Sequence, residues 1–295
     1  MPYRGEMAAL TAVILWSYTA ILFDTIGKRV GAFNTNLIRL LLASLLLCCT
    51  YLMTTGHIFP VHTSQEQQIW LGLSGIIGLA IGDAALFESL VILGPRMAIL
   101  MLSLAPVFTT ILAWIFLGEK LSLLAVAGIV LTVWGIFWVV NEKHHEKVHG
   151  SKTRGIIMGV IAALGQGVGV ILAKYGFRTE IDTLAASILR MVPATMAMWL
   201  AALFMHRLSS LRTFSADKLA VKYILLASFI GPFLGVWLAN AAVKYTEAGI
   251  AATLLAMVPI FIIPMIWIVR GTTPSVRAVT GTSLAIAGVA MIFLR

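Results

Sequence analysis

Ten apolar runs, at roughly 6–24, 35–54, 69–93, 96–117, 121–141, 154–174, 183–205, 221–245, 248–269 and 274–294, take up most of this sequence. Crossing the hydrocarbon of a bilayer as a helix takes about 20 mostly apolar residues, and each run meets that length. The runs are too long for barrel strands and lack a two-residue alternation. Lipid offers no hydrogen bonds, so each backbone amide must find its partner within the protein, which leaves bundled helices. Composition agrees. Hydrophobic residues make up 60% of the chain and charged residues 11%, where a soluble domain carries about a quarter charged. The expected fold class is an all-α integral membrane protein of ten transmembrane helices.

The runs form two sets. Sliding the chain by 153 residues without a gap sets Gly78 on Gly231, Gly82 on Gly235, Pro106 on Pro259 and Trp114 on Trp267. The same shift sets Gly118 on Gly271, Gly128 on Gly281 and Gly135 on Gly288, while Arg39 meets Arg190 at a slightly shorter offset. Leu and Ala match by chance in apolar sequence; ordered Pro, Trp and Gly do not. The chain therefore divides into a first five-helix repeat at 1–141, a hydrophilic linker at 142–153 and a second repeat at 154–295. An odd number of spans brings the second repeat in from the opposite face, so the expectation is two inverted repeats. Inverted repeats are a recurring plan of secondary transporters, with the solute near the midplane between them.

The formal charge of +9 does not build a nucleic-acid surface. Lys and Arg occupy short gaps between apolar runs, where lipid headgroups are their partners. The linker histidines His144, His145 and His149 lie on no rigid face, and Cys48 and Cys49 are neighbours inside an apolar run. Neither group reads as a metal site, and no cofactor is expected. The start of the chain resembles a signal peptide, but Asp24 to Arg29 offers no small-residue cleavage site, so the first run is expected to be retained.

Polar groups at membrane depth are the candidate site. An aspartate at a helix centre costs roughly 2.5–3.5 kcal/mol to insert, and such residues usually face a bundle interior or a wet cavity. Asp83 lies near the centre of the third run, with Glu88 further along it. Carboxyls withdrawn from water take up protons readily, which makes Asp83 and Glu88 the candidates for coupling transport to protons. Trp16, Ser17, Tyr18, Gln166 and Asn240, together with Asp83, are the candidate solute-binding residues. Gly78, Gly82, Gly231 and Gly235 form small-xxx-small pairs for close helix packing or sliding. Pro106 and Pro259 are expected to bend the fourth and ninth helices at matching depths. Arg39 and Arg190 lie a turn inside their runs and are expected to snorkel toward the headgroups.

Motifs of enzyme chemistry are missing: there is no His-Glu-x-x-His, no Gly-x-Ser-x-Gly and no phosphate-binding loop. Gly165-Gln-Gly167-Val-Gly169 lies inside an apolar run with no strand before it, so packing explains it. No enzymatic activity is expected, and transport would be secondary or passive.

With Trp16, Pro106, Leu117-Gly118-Glu119-Lys120-Leu121, Gly128 and Gly135, repeated as Pro259, Gly271, Gly281 and Gly288, the whole chain resembles the ten-helix EamA-type branch of the drug/metabolite transporter superfamily. Two positions depart from that pattern: Ser17 follows Trp16 where glycine is usual, and Thr272 follows Gly271 where an acid is usual. The resemblance implies a basket in which helices 1, 3, 4, 6, 8 and 9 line a cavity and 5 and 10 support the rim. It also implies a small-molecule solute, from a range covering amino acids, nucleotide sugars and drugs, and a multi-pass place in the plasma (inner) membrane. On orientation the two readings divide. The bias of Lys143, Lys147, Lys152, Arg154 and other residues in that set of connections puts both termini outside, whereas the resemblance implies both inside. The competing functional reading is a membrane scaffold or sensor without transport.

Overall fold

The computed structural model describes residues 3–142, 149–246 and 248–293, with residues 209, 210, 212, 213, 240, 243, 244, 248 and 249 described for their backbone alone. Among these residues, ten helical spans are long and apolar enough to cross a membrane, and there is no strand. They are α1 (Arg4–Val30), α2 (Ala32–Thr55), α3 (Gln65–Leu93), α4 (Pro95–Leu117), α5 (Leu123–Val140), α6 (Lys152–Gly176) and α7 (Thr183–Phe204). A short helix, Ser210–Ala216, then leads to α8, built from Lys218–Ser228, Phe229–Gly235 and Val236–Tyr245. Next comes α9, in two pieces at Ala248–Leu255 and Val258–Arg270, and last α10 (Val276–Phe293). Outward faces carry Trp114, Phe116, Trp134, Trp267 and Ile268, the apolar surface that lipid requires.

Three local features break the regularity. First, α3 and α8 each contain one π-helical stretch, Ile76–Gly82 and Phe229–Gly235, at positions related by the repeat. A π turn widens the helix and leaves a carbonyl without its usual partner. Second, α4 is interrupted at Ser103 and α9 at Ala256–Met257. Pro106 and Pro259 sit in the first turn of each second piece, where a missing amide proton costs least; each expected bend falls at a one- or two-residue interruption of its helix. Third, α4 and α9 both end on glycine in the left-handed region, Gly118 at φ 65° and Gly271 at φ 69°, which a side chain would strain.

Two seams are closed by glycine. In one, a methyl group on Gly165 would stand 2.9 Å from the Gly82 Cα, and on Gly169 3.2 Å from the Gly78 Cα, so α3 and α6 touch backbone to backbone. In the other, α5 meets α10, where a methyl on Gly135 would come 2.6 Å from the Gly281 carbonyl. Thr132 adds an interhelical hydrogen bond there, its Oγ1 donating to Ala285 O at 3.2 Å.

Candidate functional site

The first helix runs past its expected end, so Asp24 falls inside α1 and is fully buried. It takes Lys28 at 3.0 Å and Arg270 at 2.5 Å, which ties α1 to the end of α9. Arg29 bonds Asp217, the N-cap of α8, at 2.7 Å. These ties fix α1 against the second repeat.

Deeper in the bundle lies a second ionic group. Arg39 of α2 does not snorkel. Its guanidinium turns inward and donates from Nη2 to Asp83 Oδ2 at 2.5 Å. The aromatic rings of Phe23 and Phe87 flank it, 6.0 and 5.2 Å from its central carbon. The other oxygen of Asp83 accepts from Gln166 Nε2 of α6 at 2.7 Å. Asp83 is 4% exposed and Arg39 9%. The Nε of Arg190 on α7 is enclosed without a partner. Asp83 thus joins α2, α3 and α6, through Arg39 on one side and Gln166 on the other.

Arg39 also forms part of the wall of a cavity of about 280 Å³. The remaining wall comes from Trp16, Thr19 and Phe23 of α1, Leu86, Phe87 and Leu90 of α3, and both sides of the α4 and α9 breaks. Ser103 and Pro106 mark one break at the wall, Ala256, Val258 and Pro259 the other. Among the described residues the cavity therefore draws on α1, α2, α3, α4 and α9, with Val289 of α10, and not on α6 and α8, which the resemblance implied.

The π turns explain how α6 and α8 contribute instead. Each turns one carbonyl to the first helix of the opposite repeat: Gly78 O accepts from Gln166 Nε2 at 3.4 Å, and Gly231 O from Trp16 Nε1 at 3.2 Å. Asn36 of α2 further satisfies Leu79 and Ala80 of the α3 turn, at 3.3 Å each. The two seams differ. α3 and α6 meet glycine on glycine, whereas on α8 a methyl group on Gly235 would run into Trp16, whose ring is wedged between α1 and α8.

The other expected site residues fall as follows. Ser17 is buried, its hydroxyl donating to Val13 O at 2.8 Å and Val258 O at 3.3 Å, turned away from the cavity. Tyr18 packs against a core cluster that draws on α1, α3, α8 and α9 among others. Glu88 pairs with Arg154 at 2.9 Å with its side chain one-third exposed, far from the Asp83 group in environment. The side chain of Asn240 and the linker residues 143–148, with His144 and His145, lie outside the described residues. Sequence reasoning missed Arg39 as an inward group, Asp24 as a buried one, and both π turns. The Arg39/Arg190 match across the repeats was the available signal for the first.

A cavity shared between five-helix repeats, walled by the broken spans of both, belongs to a membrane transporter. The model of the EamA-like transporter family matches residues 3–141 and 153–294, and the chain belongs to that family. It is 26% identical over 229 residues to Protein LicB of Haemophilus influenzae, covering 77% of this chain and 75% of that one. It is likewise 26% identical over 299 residues to a probable terminal-alkyne amino-acid exporter of Streptantibioticus cattleyicolor, covering 98% and 93%. A solved crystal structure shares the fold with a TM-score of 0.62 at 17% identity, across 98% of this chain and 96% of that one.

Proposed function

We propose that the chain is a secondary carrier of a small organic solute, alternating access to the cavity around Trp16 from the two faces of the plasma (inner) membrane. The observation that carries this reading is the meeting of both helix breaks, Ser103–Pro106 and Ala256–Pro259, at one cavity wall. Broken spans at the interface of inverted repeats recur around the solute sites of secondary carriers. The exporter among its relatives favours a small organic cargo.

Trp16 supplies an aromatic wall. Its hydrogen bond to the α8 π turn links solute contact to the α1–α8 seam. Asp83 is the coupling candidate. A proton on Asp83 would cancel one charge of the buried pair with Arg39 and loosen α2 from α3. Glu88, tied to Arg154, acts as a brace at the edge of the bundle.

The test starts from protein with Cys48 and Cys49 replaced by alanine, carrying Ala256→Cys, in proteoliposomes exposed to impermeant thiol reagents from one face at a time. Labelling is expected from each face. A position sealed from both faces indicates a dry interior and turns the reading to a scaffold or sensor. In the same vesicles, labelled amino acids and organic acids are screened for accumulation under a pH gradient. The solute that accumulates should stop doing so in Asp83→Asn while still exchanging across the membrane.

A further inference from the structure

We infer that the cavity binds a solute with an apolar body and a single anionic head, a carboxylate or similar oxyanion, and that Arg39 is the docking group for that head. The inference deepens the carrier reading above and rests on its placement of the solute.

Charge placement decides the sign. No acid lines the cavity among the described residues, and Asp83, which bonds its wall residue Arg39, is 4% exposed with both oxygens occupied, by Arg39 and by Gln166. A cationic head would find no free carboxylate there. Arg39 reaches the wall itself and spends Nη2 on Asp83. A guanidinium has five N–H donors in a planar fork suited to bidentate oxyanions. Among the described residues Arg39 is the one charged side chain in the cavity wall, so the wall presents a cation and no anion to a solute.

Shape decides the rest of the solute. Apart from Arg39, the wall is dominated by apolar residues such as Phe23, Leu86, Leu90, Ile99 and Leu102. Leu102 and Ser103 at one break and Leu255 and Val258 at the other lie in the wall, so the end of each first piece and the start of each second piece meet there. The two dipole ends oppose each other, which leaves Arg39 to set the preference. The volume of about 280 Å³ suits a short chain or a single ring.

The test uses three ligands on one hydrocarbon, hexanoate, hexan-1-ol and hexylammonium, titrated against purified protein in nanodiscs by thermal shift. Hexanoate should bind about tenfold or more tightly than either analogue, the discrimination expected of a charge-assisted hydrogen bond. Arg39→Gln combined with Asp83→Asn removes the pair without stranding a charge; it should keep the fold, checked by helical content and elution volume, and lose hexanoate binding by the same factor. Arg39→Lys, which keeps the charge but not the fork, should retain part of it. Equal binding of all three ligands, tighter binding of hexylammonium, or unchanged hexanoate affinity in the double variant would overturn the inference. Binding is read without flux, so hexanoate recognition alongside a sealed Ala256→Cys position would refute the carrier and spare the head-group assignment.

Discussion

At the scale of single residues, the bundle is organised by buried ion pairs that a hydropathy reading treats as isolated charges. Arg39 and Asp83 bond at 2.5 Å, with Asp83 at 4% exposure. Removing one member of a buried pair strands the other and costs about 3–5 kcal/mol, while removing both costs less. Arg39→Gln and Asp83→Asn are each expected to destabilise the protein by about 3 kcal/mol, with the double variant falling short of their sum by about 2 kcal/mol. Denaturation in detergent measures the cycle, and simple additivity would show that the pair is not an energetic unit. Asp83 stood out in the sequence because an aspartate at membrane depth is rare. Its partner did not, because Arg39 lies near enough to a helix end to reach headgroups, and only packing against Phe23 and Phe87 turns it inward.

At the scale of elements, glycine sets how closely helices approach, and position within a seam decides which glycine matters. A methyl group on Gly165 would meet the backbone of Gly82 at 2.9 Å, which no rotamer change can relieve. On Gly78 the nearest atoms stand 3.7 Å away, an ordinary contact. Gly165→Ala should therefore cost about 1–3 kcal/mol by overpacking the α3–α6 seam. Gly78→Ala should lie within about 0.5 kcal/mol of the parent protein, the range of changes that disturb no packing. Thermal stability of the two variants in one detergent checks this, and equal losses would remove the seam explanation. The paired glycines were legible as repeats. The π turns at Ile76–Gly82 and Phe229–Gly235 were not, since widening one turn leaves hydropathy and length unchanged. The breaks in α4 and α9 were half legible: Pro106 and Pro259 announced a disturbance, but its extent depends on how the neighbouring helices accommodate the freed backbone groups.

At the scale of the whole molecule, the main helix contacts cross between the repeats. α3 closes on α6, α5 on α10, and α1 on α8 and α9 through Trp16 and Asp24. Each repeat alone would leave those faces, with buried Asp24 and Asp83, open to lipid, a costly arrangement for charge. The halves 1–141 and 154–295, expressed as separate chains, should co-purify through a tag on either one and melt within a few degrees of the intact protein, since the linker contributes mainly closure entropy. Either half expressed alone should fail to give a monodisperse species. A stable solitary half would mean that the repeats are independent units.

By itself the sequence determined the solvent, the number of spans and the duplication, because long apolar runs and ordered matches of Gly, Pro and Trp are one-dimensional properties that survive any packing. Only the tertiary structure decided which polar groups meet and which face the cavity. Whether Arg39 reaches the headgroups or Asp83, whether Ser17 faces a solute or the α9 backbone, and which seam holds Trp16 depend on helix rotation and separation, set by contacts between residues far apart in the chain.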